Sequence, residues 1–143
     1  MDGSFGKATR SWAEIKNRAK ELVKPQKVEP GFHYVVTDVV HCKSKEEKGV
    51  NGAIKKCPQR YLKRVLWISG ARVIIVLGKR AGKVVRYELG ISSKAKLYGP
   101  TGICGRRRYL VFMPRSGSNA KRKFSTSLSV GELRKLRKFL EFR

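Results

Sequence analysis

The sequence predicts an α/β protein, a three-layer α/β/α domain around a mostly parallel central sheet. Apolar, β-branched runs, "FHYVVTDVV" from Phe32, "ARVIIVLG" from Ala71 and "YLVFM" from Tyr109, alternate with stretches at helical spacing. That alternation is the pattern of strands joined by helical crossovers. A chain of 143 residues with 41% hydrophobic content can bury one compact core but not two, so residues 1–143 are expected to form a single domain.

Each element has a local reason. "SWAEIKNRAKELV" opens with a Ser-x-x-Glu capping box, Ser11 and Glu14, and places Trp12, Ile15, Ala19 and Leu22 on one helical face. "PQKVEPG" then breaks the helix, and the run from Phe32 reads as a strand covered on both faces. Val50 to Ser69 returns to helical spacing, with Tyr61, Leu62, Val65 and Leu66 on one face and Pro58 placed to restart or kink it. "ARVIIVLG" is the clearest buried strand, and "KRAGKVVRYEL" follows Gly78 as a short helix. "GISSKAKLYGPTGICGRRR" reads as a loop leading into the strand "YLVFM", and a polar, basic loop then runs through Phe124. "SVGELRKLRKFLEF" closes the chain as a helix capped by Ser129 and Glu132, with Leu133, Leu136 and Leu140 inward. In such sheets ligands bind beyond the carboxyl ends of the strands, here the loops after Val39, Leu77 and Met113.

Charge narrows the partner. Lys and Arg number 34 against 10 Asp and Glu, a formal charge of +24 whose self-repulsion calls for a polyanion. Nucleic acid is the natural partner; the alternative is a ribosomal-type or generally basic host proteome, in which charge reflects habitat. No apolar stretch reaches a membrane span and the N-terminus lacks an apolar signal core, so a soluble, cytoplasmic protein without a membrane partner is expected. Three cysteines in such a chain suit thiols or metal ligands better than disulfides, with Cys104 structural.

In order and spacing, "VVTDVVHCKS", "CPQRYLKRVL", "ARVIIVLGKRA" and "YLVFMPRSGSN" resemble the uracil-DNA glycosylase superfamily, most closely its iron-sulfur branch. The resemblance runs from Phe32 to Phe142. It implies a monomer that binds DNA and hydrolyses the N-glycosidic bond of a damaged base in base-excision repair. Such an enzyme extrudes the nucleotide and stabilises the departing base anion.

The resemblance also implies roles. Asp38 would read the base where the branch has Asn; a carboxylate only accepts, so uracil specificity is doubtful. The other reading of Asp38 is a bond to loop amides after the strand. Arg115, nearest the family's late His, is the candidate catalytic residue: it would stabilise the leaving base, or instead hold a backbone phosphate. Ser116, Gly117, Asn119, Lys43 and Ser44 would contact the DNA backbone. Phe5 in "SFG" would stack on the flipped base, unless that stretch is only a tail.

Cys42 and Cys57 resemble the later pair of cluster ligands of that branch. The earlier doublet is missing, and two thiolates are too few for a four-iron cluster, so no cofactor is expected unless further cysteines are supplied upstream. The two would otherwise pack as small buried residues. The family's first strand, which carries the water-positioning residue, has no counterpart before Phe32, so a truncated or degenerate member with impaired activity is expected. Whether the chain is an enzyme stays open, the alternative being a non-catalytic basic nucleic-acid-binding protein.

Overall fold

The computed structural model describes residues 10–23, 27–39, 48–114 and 124–141, which gather into two compact units. The first is made from the two ends of the chain, up to Val35 and from Arg115 onward; the second spans Val36–Pro114.

In the first unit α1 (Arg10–Leu22) packs with α4 (Phe124–Ser127) and α5 (Val130–Glu141). Ala19 and Leu22 of α1, Phe124, Leu128, and Leu133 and Leu136 of α5 are buried, the faces that the helical spacing selects. Glu21 joins these helices: its Oε2 accepts from the Phe124 amide at 2.9 Å, and its carbonyl accepts from Arg137 Nε at 3.0 Å. The expected capping box closes α5, with Ser129 N donating to Glu132 Oε2 at 2.8 Å and Glu132 N donating to Ser129 Oγ at 3.2 Å. The box expected for α1 is displaced, because the helix already includes Arg10 and Ser11 is its second residue.

The second unit holds α2 (Val50–Ile68), β1 (Val73–Leu77), α3 (Lys79–Glu88), β2 (Leu97–Ile103) and β3 (Arg106–Met113). Its sheet has the order β1-β3-β2, with β1 parallel and β2 antiparallel to β3. The described protein is therefore α/β, but with a small mixed sheet in place of the expected mostly parallel one. Helix α2 runs unbroken through Pro58. Leu62 and Leu66 of α2 and Val85 of α3 share one core with Val76, Leu110 and Phe112, so both helices cover the same face of the sheet. The other face of β3, formed by Tyr109, Val111 and Met113, is also buried.

Three expectations are corrected. The run from Phe32 is not a buried strand: it turns at Gly31–His33, makes one bridge between Pro30 and Tyr34, and leaves Phe32 76% and Val35 78% exposed. The apolar pattern was real, but among the described residues no strand pairs with it beyond that bridge. The most buried strand is β3 and not β1, because β3 is central in the described sheet while β1 pairs on one side only. The loop expected before "YLVFM" contains β2. Gly99, Pro100 and Gly102 weaken its strand signal, and the pairing shifts by one residue between Tyr98 and Thr101, a bulge at that Gly-Pro pair. Gly99 allows the close approach, since a Cβ there would stand 2.5 Å from the Arg108 carbonyl oxygen.

Candidate nucleic-acid interface

Between Lys48 and Pro114 the chain carries sixteen Lys and Arg and a single acid, Glu88. One carboxylate cannot neutralise sixteen cations within this segment. Where the helices direct them is therefore decisive. On α2, Lys56, Arg60, Lys63 and Arg64 stand at i, i+4, i+7 and i+8, within about a 100° arc at 3.6 residues per turn, and all four are exposed. Trp67 continues that stripe one turn on and is 66% exposed. On α3, Arg80, Lys83 and Tyr87 form a second exposed stripe at i, i+3 and i+7. The two helices touch each other and cover the same face of the sheet, so both stripes lie on one side of the unit. Phosphates spaced along a nucleic-acid backbone are the natural ligand of such a surface.

Two arginines are turned inward instead. Arg108 is 0% exposed, and its Nε donates to Ile103 O at 3.1 Å, Nη1 to Ala71 O at 2.7 Å, and Nη2 to Leu66 O at 2.6 Å and Ser69 O at 2.8 Å. It thus caps the carboxyl end of α2, where orphan carbonyls and the helix dipole favour a cation, and ties it to the entrance of β1 and the end of β2. Burial pushes its guanidinium down from the usual range, Cys104 opposing the shift and Arg106 adding to it. Arg86 lies 3.5 Å over the Phe112 ring and donates to Ser93 O and Ala95 O at 3.0 and 3.1 Å, fixing the backbone on both sides of Lys94.

The carboxyl edge of the sheet is where the sequence places its site. Leu77 and Met113 are register partners, and Gly78 N donates to Met113 O at 2.8 Å, so the loops after β1 and β3 leave side by side. Exposed Lys79 and Arg80 follow Gly78, and the exposed Lys94 and Lys96 precede β2, whose start lies at the same edge. Of the predicted site residues, Asp38 is described: it is exposed and in irregular chain, not at a strand end. Cys57 is buried in α2. Phe5, Cys42, Lys43, Ser44, Arg115, Ser116, Gly117 and Asn119 lie outside the described residues. Among the described residues no group of three or more His, Cys, Asp and Glu could hold a metal ion, and no helix is long and apolar enough to cross a membrane.

The α2 stripe was open to sequence reading. Once Leu62 and Leu66 define the buried face, Lys56, Arg60, Lys63, Arg64 and Trp67 fall on the opposite one. No family model, curated protein or solved structure matches the chain.

Proposed function

We propose that this chain is a DNA-binding protein, acting as a monomer, that grips the phosphate backbone with the exposed faces of α2 and α3. The observation that carries the reading is the sixteen-to-one excess of cations in 48–114, with Lys56, Arg60, Lys63, Arg64, Arg80 and Lys83 exposed on two helices that share one side of the sheet. Lys and Arg on those faces would displace counterions from the duplex, a term that is indifferent to base sequence. Titration of a labelled duplex at several salt concentrations tests it: log affinity should fall with log salt with a slope of about −4 or steeper. A slope shallower than about −2 would contradict it.

A second reading, hydrolysis of an N-glycosidic bond in damaged DNA, is favoured by the adjacent carboxyl ends of β1 and β3 and the cations that ring them. It takes its chemistry from the resemblance to uracil-DNA glycosylases, with Arg115 near the leaving base. The three-layer form of that superfamily is part of the same proposal. Alkali-sensitive cleavage of a uracil-containing duplex is the assay. Weak or no release is expected, since water orientation and general-base help contribute about a hundred- to ten-thousand-fold and no residue for that task is identified.

A further inference from the structure

The end of the sheet opposite to that edge carries a feature that phosphate binding does not use. Ile103 and Arg106 are register partners at the closed end of the β2–β3 hairpin. The turn between them is two residues long, Cys104 and Gly105, with φ of 47° and 75°, as a type I′ turn requires. The Trp67 ring lies against that turn: a Cβ on Gly105 would stand 2.9 Å from Trp67 Cζ3 and 3.1 Å from Cη2. Glycine therefore leaves the space that the indole occupies. Beneath it, Arg108 binds Leu66 O, Ser69 O and Ile103 O, so one buried fork holds together the two elements that carry the ring and its support.

A large apolar ring held this way and still 66% exposed, beside Ile68 at 73%, is costly to leave facing water, and cations stand close to it in the fold. Lys63 and Arg64 lie three and four residues before it on the same helical face, and exposed Arg106, on the same face of β3 as Arg108, follows Gly105. Cations flanking an exposed, backed indole fit a nucleotide with an unpaired base. The ring offers a stacking face, which every base accepts, while the cations hold the phosphates on either side. In a duplex the bases already stack on one another, so this ring would have no partner there.

We propose that Trp67 is a stacking platform for an unpaired base of single-stranded DNA, separate from the carboxyl edge of the sheet. The inference rests on the DNA-binding reading and adds a strand preference to it.

The test uses the full chain with Trp12→Phe, which leaves Trp67 as the one indole, and two probes, oligothymidylate and a duplex of equal length. Oligothymidylate should quench the fluorescence of Trp67 in proportion to binding, and the duplex should bind without quenching. Trp67→Ala should weaken oligothymidylate binding by about five- to hundred-fold, the range for one base–aromatic stack, and weaken duplex binding far less. Trp67→Tyr should recover most of the loss, which a variant disturbed in folding would not do. Salt-sensitive binding of both probes without quenching, or with equal losses for both in Trp67→Ala, overturns the stacking site and leaves DNA binding standing. Fluorescence that responds to protein concentration alone would assign the ring to a second copy of the chain and also overturn it. Failure of both probes to bind in a salt-dependent way overturns both readings.

Discussion

The two units use charge in opposite ways. In the first, the described residues hold nine Lys and Arg with five acids, and the charges act on the protein itself. Glu21 joins Phe124 and Arg137, Lys27 pairs with Glu29 at 3.0 Å, Glu132 caps α5, and Glu14 and Glu21 offset the lowering that burial imposes on the Arg18 pKa. In the second, the described residues hold sixteen Lys and Arg with two acids, Asp38 and Glu88; Arg86 and Arg108 are committed to backbone carbonyls while the stripes on α2 and α3 face outward. Where acids stand among the cations, opposite charges can fix helices to one another. A set almost all of one sign cannot, and finds its stabilising partner outside the chain.

The inward arginines give the sharpest way to break this contrast. Arg108→Met should cost the second unit about 3–5 kcal/mol, because four carbonyls lose a buried, charged donor at once. Arg137→Met, which removes one half-buried bond to Glu21 O, should cost about 1 kcal/mol. Denaturant unfolding of the two variants measures the difference, and similar losses would remove the special role given to Arg108.

The next effect is at Gly99. Gly99→Ala combines a φ of 113° with a Cβ 2.5 Å from a backbone oxygen that cannot swing aside, and should cost about 2–3 kcal/mol. Gly102→Ala in the same strand meets nothing within 4 Å and should stay within about 0.5 kcal/mol of the parent in thermal unfolding. In the first unit, Ser129→Ala should cost about 1 kcal/mol by opening the box with Glu132, read from the same scans.

The smallest effect is one of pH. Burial lowers the Arg108 pKa, so the folded protein holds that proton less tightly than the unfolded chain. Stability would then rise with pH only between the two values; below both, the group is charged in each state and adds no slope. Because an arginine keeps its proton at neutral pH, unfolding free energies of the parent and Arg108→Met should run parallel from about pH 5 to pH 9. A divergence in that window would show that Arg108 titrates there.

Legibility in the sequence followed how local each signal was. Helices α1, α2, α3 and α5 were readable because spacing, caps and punctuating glycines sit within the segments themselves. Which strand is central was not readable: β1 and β3 both look apolar, and only the pairing order separates them. The run from Phe32 looks like a strand for the same reason, since a β-branched stretch does not announce whether a partner exists. β2 was hidden by Gly99, Pro100 and Gly102, which mark loops in most contexts and a bulged strand here. For the candidate site, the cationic face of α2 lay in plain view, whereas the seat of Trp67 on Gly105 joins residues far apart in the chain.

The most direct test compares the two units on one scale. Lys56, Arg60, Lys63 and Arg64 changed together to Gln should make the salt slope of duplex binding shallower by about 3–4, near one per lost phosphate contact. The matching change of exposed Lys20, Arg134, Lys135 and Lys138 in the first unit should alter that slope by less than about 1. Equal losses from the two sets would show that binding follows net charge alone, and a larger loss from the second set would contradict the assignment of the interface to α2.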